Sequence, residues 1–323
     1  MTLRTAGLKW LTAVAITGLP ALSGCLGSSP QHASQASAPA PRLVMTWVAP
    51  YAVAASKARL NESFDGIGMK DGLSDLALQF WEPAPDGSAV ARVQRGGDTS
   101  DAAVLELRDW GRAHGVRVSL CVYNYNVAKE AWDWPWARSA FVTHPEQFAS
   151  SLVAELTRLD LDGIDLDLEG NGALDDDKQP YLRFVQQLSA RLHAQGKRLT
   201  LDSFAYVWHA PNQSWWKDLF PLVDGINSMG YEEIGAGAGA GAEAWRSFAA
   251  QEAASGADVG KLMLGMPANK DEWQGKAALE QLRWLRDRGR AGMSLWDSQL
   301  DGAAWRTHEA WATVSEIRKG AAR

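Results

Sequence analysis

Eight short strand-like segments, separated for the most part by helical patterns, predict an α/β protein built as a single closed (β/α)8 barrel, the TIM-barrel architecture. Two further observations favour it over an open doubly wound sheet. No Gly-x-Gly-x-x-Gly turn follows the first strand, and no other repeat or second domain breaks the alternation. Length admits either one barrel or two ordinary domains in 323 residues, and 46% apolar residues are enough for a large core.

The first 41 residues stand apart from that pattern. Arg4 and Lys9 precede an apolar run from Trp10 to Leu22, which ends in Leu22-Ser23-Gly24-Cys25. The run is short of the roughly 20 residues that a spanning helix needs. The arrangement resembles a bacterial lipoprotein signal, in which the cysteine is acylated and becomes the first mature residue. Residues 1–24 are therefore expected to be the signal, and residues 25–41 the lipidated Cys25 with a Ser-, Ala-, Gln- and Pro-rich tether. Residues 42–323 remain for the barrel. The expected location is the cell envelope, lipid-anchored at the outer membrane, periplasm or cell surface. Leu26 resembles the residue found there on lipoproteins exported to the outer membrane of Gram-negative bacteria. With Cys25 acylated, Cys121 has no disulfide partner and reads as a small buried apolar residue.

Leu43 to Trp47 is a first strand, ended by Ala49-Pro50, and Ala and Lys favour a helix from Ser56 until Phe64-Asp65-Gly66 ends it. Asp75 to Trp81 is a second strand, stopped by a Pro/Gly loop from Glu82 to Gly87. Ser100 is placed to cap a helix with Val104, Leu107 and Trp110 on one face, closing before Gly115. Val116 to Val122 is the third strand, followed by a long loop holding Tyr123, Tyr125, Trp132, Trp134 and Trp136. A helix from Pro145 to Leu159 feeds an acidic fourth strand. Beyond it come a helix from Gln179 to Ala194, a strand from Leu199 to Phe204 and a short helix from Trp215 to Leu222. Strands at Gly225 to Met229, Lys261 to Met266 and Gly292 to Trp296 complete the set, with helices at Glu243 to Ala254 and Lys276 to Arg288 between them. The Gly-Ala repeat from Gly235 to Ala242 is either an inert connection or a flap over a site.

In the fourth strand Asp165, Asp167 and Glu169 alternate with Ile164, Leu166 and Leu168, which puts the carboxylates on one face. Such a row is costly unless its members share protons, find donors or meet water at a strand end, and that cost marks it as catalytic. The other readings are a solvated acidic edge strand or a cation site. Calcium loops wrap their ligands around a turn, which a flat strand does not do. Asp175-Asp176-Asp177 reads instead as a solvated helix N-terminus, and Asp162, at the entry of the strand, as structural.

Working groups of a barrel lie at the carboxyl ends of its strands. Trp47, Trp81, Tyr123, Glu169, Tyr231 and Trp296 all fall there, so aromatic residues are expected to ring the acidic cluster. Sixteen tryptophans serve both packing and stacking on sugar rings, and Trp296 is the expected sugar-stacking floor. A net charge of −6 argues against nucleic acid or anionic lipid as the main partner.

Asp162-Gly163-Ile164-Asp165-Leu166-Asp167-Leu168-Glu169 resembles the Asp-Gly-x-Asp-x-Asp-x-Glu signature of glycoside hydrolase family 18 and matches it at all five defined positions. Met229-Gly230-Tyr231 is similar to the family's Met-x-Tyr on strand six, and Gly292 to Trp296 to its eighth strand with a terminal tryptophan. The likeness covers Leu43 to Ile317. It implies retaining hydrolysis of β-1,4 bonds next to N-acetylglucosamine, in chitooligosaccharides or the chitobiose core of N-glycans, without a protein nucleophile. Carried over, it makes Glu169 the acid and later the base. Asp167 becomes the partner of the acetamido N–H, Asp165 shares a proton with Asp167, and Tyr231 donates to the acetamido oxygen. Trp296, Met229, Trp47, Trp81, Tyr123 and Glu232 would contact substrate. Ser119 resembles the serine of the family's third-strand motif and is expected to bond the inner aspartate.

Two departures affect the substrate rather than the acid. Leu120-Cys121-Val122 follow Ser119 where the family has Gly-Gly, and Glu232 stands where an aspartate is usual. No clear insertion separates strands seven and eight, where Asn269 to Trp273 form a short loop, so an open groove is expected. The resemblance implies no cofactor and no metal. The expected partner is an N-acetylglucosamine-containing oligosaccharide or glycoprotein, met by a monomer that touches the membrane only through its lipid. A catalytically silent glycan-binding barrel is the alternative, although silent members typically lose the acid and Glu169 is present.

Overall fold

A computed structural model of the chain describes residues 40–230, 244–268 and 275–320. The expected signal, Cys25 and the tether up to residue 39 lie outside the described residues, as do Tyr231, Glu232, the Gly-Ala repeat and Asn269 to Trp273.

Eight parallel strands close on themselves. They are β1 (Val44–Val48), β2 (Asp75–Pro83), β3 (Arg117–Tyr123), β4 (Gly163–Asp167), β5 (Arg198–Phe204), β6 (Gly225–Met229), β7 (Leu262–Pro267) and β8 (Gly292–Trp296). Each pairs with its successor in the chain, and β8 returns to β1. Around them run α1 (Val53–Leu60), α2 (Asp101–His114), α3 (Pro145–Leu159), α4 (Asp175–His193), α5 (Ala244–Ser255), α6 (Gly275–Asp287) and α7 (His308–Arg318). A four-residue helix, Trp216–Leu219, takes the place between β5 and β6.

Local chemistry explains the helix ends. Ser100 accepts from the Ala103 N–H, and Gly115, at φ 65°, lets the chain leave α2 through the left-handed region. Phe148, Leu152 and Leu156, one per turn of α3, are fully buried against the barrel wall. Outward residues of the strands, such as Val44, Leu76 and Leu120, join them in the main core. A smaller cluster plugs the interior: Met45, Trp47, Ala77, Cys121 and Met263, with Leu43 and Trp296 against it. At the amino end of the strands Arg117 pairs with Asp75 at 2.9 Å and Arg198 lies 3.5 Å from it, so the fixed cations sit at the end away from the acidic row.

Three expectations need correction. Strand β2 does not stop at Trp81 but runs to Pro83 and pairs back with an antiparallel segment, Val90–Arg92. A bulge between Leu78 and Trp81 adds one residue against β3. Parity therefore slips, and Trp81 points outward. Its indole N–H donates to Glu155 at 3.0 Å, and the Arg92 guanidinium lies 4.2 Å from its ring centroid. Trp81 is a wall residue, not a substrate contact. Second, the aromatic loop after β3 contains a helix, Trp134–Arg138, started by Pro135 in its first turn. Third, α4 begins at Asp175, and Asp177 is buried rather than solvated, accepting from Trp134 Nε1 at 2.9 Å and Arg138 Nε at 2.7 Å.

The seam that closes the barrel leaves no room for a side chain at Gly292, where an ideal Cβ would lie 2.0 Å from the Leu43 carbonyl oxygen. Gly292→Ala is expected to cost about 1–3 kcal/mol or more through backbone displacement, read as a lower urea midpoint with an unchanged m-value.

Candidate active site

β4 turns Asp165 and Asp167 into the barrel, and Glu169 follows two residues beyond the strand end. Their exposures of 0, 3 and 7% follow that order of depth.

Asp165 is locked. Trp47 Nε1 donates to Oδ2 at 2.8 Å, and Thr200 Oγ1 donates to Oδ1 at 2.5 Å. Burial raises its pKa and these donors oppose the rise. Cys121 stands opposite Asp165 in the β3–β4 register, whereas Ser119 stands opposite Gly163, one strand step deeper. The expected serine partner is thus out of register, and Thr200 and Trp47 do its work.

Asp167 Oδ2 accepts from Gln79 Nε2 at 2.7 Å. Its Oδ1 is buried and receives no hydrogen bond. Burial pushes its pKa up to about 6, with the charge of Asp165 adding to the rise and the Gln79 bond opposing it. Glu169 is raised well above the ordinary carboxyl range, first by burial and then by the charge and hydrogen bond of Asp167. That is the direction an acid catalyst needs.

The main chain at Glu169 is clamped from both sides. Asn124 Oδ1 accepts from the Glu169 N–H at 2.8 Å, and Asn124 Nδ2 donates to the Glu169 carbonyl at 2.9 Å. Gly170-Asn171 then pairs with His209-Ala210. A Cβ on Gly170 would lie 2.7 Å from the Trp134 ring, so the chain beyond the acid is pressed against that indole.

Trp47, Met229, Asp167, Glu169, Asp202 and Trp296 line a hollow of about 230 Å³, together with Phe204, Tyr206, Asn227 and Trp132. Trp47 and Trp296 meet with ring centroids 6.0 Å apart. A second hollow, about 410 Å³, shares Trp132 and Trp296 and continues past Tyr51, Arg95, Tyr123 and Gln79. Tyr123 is held there by Arg95 Nη2 at 3.0 Å, and burial, ahead of the opposing charge of Arg95, lifts its hydroxyl to about 12. Of the expected contacts, Trp47, Met229, Tyr123 and Trp296 line these hollows and Trp81 does not. Tyr231 and Glu232 lie outside the described residues.

Asn124, Gln79, Asp202, Asn227 and Ser294 were not singled out by the sequence reading. Each is a single polar residue on, or just past, a separate strand. The available signal was the parity of β5, which places Thr200 and Asp202 on the face that looks at Asp165. Asp162, read as structural, accepts from the Val118 N–H at 2.8 Å. Ligand atoms of Cys121, Asp167 and Asp202 lie within 4.8 Å of one another. Burial raises all three pKa values, so a cation would have to displace protons to bind there.

Burial of these carboxyls gives stability a definite pH dependence. Because Asp167 holds its proton to about 6 in the folded state against an ordinary value of 3.8, the folded chain binds more protons than the unfolded one between those values, and stability falls as pH rises through them. Asp167→Asn removes that loss. Relative to wild type, the variant is expected to be more stable by on the order of 2 kcal/mol more at about pH 7 than at about pH 4 in urea titrations.

The family profile described as "Glycosyl hydrolases family 18" matches residues 131–315. Chitinase A1 of Niallia circulans is 30% identical over 153 residues, a match that covers 42% of this chain and 21% of that protein. Among solved structures, a chitinase from Chromobacterium violaceum ATCC 12472 superposes with a TM-score of 0.63 at 15% identity, over 85% of this chain and 98% of the other. The spore cortex-lytic enzyme SleL of Bacillus cereus gives 0.63 at 12% identity, over 86% and 75%. At those identities the structures speak to the fold, while the profile spans more than half of the sequence and takes in the acidic strand. The chain belongs to glycoside hydrolase family 18.

Proposed function

We propose that this protein hydrolyses β-1,4 bonds next to N-acetylglucosamine with retention, using the acetamido group of the substrate as the nucleophile. The observation that carries the reading is the pairing of Glu169, buried beside a second carboxyl, with a buried, unsatisfied Asp167 Oδ1 in one hollow. An Asp167 Oδ1 with no protein donor is placed to receive an N–H from the substrate.

In this reading the Asp167 carboxylate accepts the acetamido N–H and turns the carbonyl oxygen toward the anomeric carbon. That oxygen forms the new C–O bond as Glu169 gives its proton to the leaving oxygen. Asp167 stabilises the resulting oxazolinium, and Glu169 then takes a proton from the water that opens it. Tyr231 completes the set by donating to the acetamido oxygen, a role that rests on the family motif. Trp296 supplies the floor for the sugar, with Trp47 beside it. Similarity to proteins named chitinase favours chitooligosaccharides, and the chitobiose core of N-glycans is the other substrate of this linkage. Cys25, acylated, would hold the barrel at the cell envelope by its tether.

Glu169→Gln is expected to abolish hydrolysis, by at least about 1,000-fold in kcat, with the circular dichroism spectrum unchanged; full activity in that variant would overturn the mechanism. Mass analysis of products from chitooligosaccharides and N-glycopeptides chooses the substrate. Chitobiose release marks a chitinase, and a peptide left with one N-acetylglucosamine marks an endo-β-N-acetylglucosaminidase. Cys25→Ala is expected to move the protein from the membrane fraction to the soluble fraction.

A further inference from the structure

A fourth carboxyl stands in the hollow, and neither the acidic motif nor the mechanism above employs it. Asp202 is 2% exposed, lines the same hollow as Asp167 and Glu169, and has a carboxyl oxygen within 4.8 Å of one on Asp167. Its orientation is set by a relay across three strands. Ser294 Oγ donates to Asn227 Oδ1, which leaves the Asn227 amide N–H to donate to Asp202 Oδ1 at 2.7 Å. With Oδ1 engaged as an acceptor, the other oxygen is the one free to carry a proton. Asp167 also has its own Oδ2 fixed by Gln79, so the two side chains meet with both rotamers constrained.

We propose that Asp202 is a positioning residue that stays protonated and donates its O–H to the Asp167 carboxylate, holding Asp167 ionised and turned toward Glu169. The proposal rests on the hydrolytic reading for its effect on turnover, but not for the proton itself. The ionisable groups facing Asp202 among the described residues are Asp165, Asp167 and Glu169 from the β4 segment, Cys121 from β3 and Tyr181 from α4. All of them are acids. Burial first, and then the charges of Asp165 and Asp167, push the Asp202 pKa well above the carboxylate range, and the Asn227 bond opposes the rise. A neutral donor suits Asp167 there: an ionised Asp202 would repel it, whereas the two lone pairs of the buried Oδ1 can accept both the Asp202 O–H and the substrate N–H.

Asp202→Ala and Asp202→Asn separate this role from simple packing. Without the donor, Asp167 protonates more readily, so the acid limb of kcat in Asp202→Ala moves to higher pH. Its kcat falls about 10- to 100-fold while KM changes less than about threefold. The asparagine amide keeps an N–H on Asp167, so Asp202→Asn retains activity within about tenfold of wild type with the acid limb in place. An unmoved limb in Asp202→Ala, or an Asn variant no better than Ala, overturns the proposal. Infrared difference spectra of wild type against Asp202→Asn at neutral pH test the proton without turnover. Loss of a protonated-carboxyl band is expected, and a difference spectrum lacking that band overturns the proposal. A wild type that cleaves nothing would count against the hydrolytic reading alone, because the spectrum still decides the proton.

Discussion

Ionised carboxyl groups are expensive to bury, and this barrel buries Asp165, Asp167, Glu169 and Asp202 in one interior. The described hydrogen bonds that meet them come from neutral donors: an indole, a hydroxyl and two side-chain amides. Among the described residues no basic side chain lines the hollow that holds Glu169, and Arg117 and Arg198 face Asp75 at the far end. The segregation has a chemical reason. A guanidinium beside Glu169 would hold it ionised and remove the proton that an acid catalyst must give. Neutral donors tame part of the repulsion and leave the pKa values high.

Glu169, the proposed acid, is positioned through its main chain rather than its carboxyl. Asn124 holds both polar groups of the Glu169 peptide backbone, and the strand pair of Gly170-Asn171 with His209-Ala210 continues the restraint. A side chain fixed in this way keeps its own torsions for the proton transfer. Asp165 shows the opposite arrangement, with both carboxyl oxygens engaged.

The barrel was legible because each strand is short and apolar on its outward face, a local property that a linear reading sees. The acidic row was legible because its period of two is unbroken from Asp165 to Glu169. Trp81 was misplaced because a bulge is a relation between two strands, with β3 unshifted opposite Leu78 and Trp81. Asp177 was misread because its partners, Trp134 and Arg138, lie about 40 residues away in a loop that carries no periodicity. Gln79, Asn124 and Asp202 escaped for the same reason: each is a polar residue outside any motif, and its meaning appears only when eight strands bring their inward positions to a common axis.

The bulge in β2 has a mechanical effect on the groove. Up to Gln79 the inward positions keep step, and Gln79 reaches Asp167. Had the alternation run on, the Trp81 indole would have pointed inward, toward the second hollow that Gln79 also lines. A phase slip of one residue thus keeps the bulk of an indole in the barrel wall and out of the space beside the acidic row.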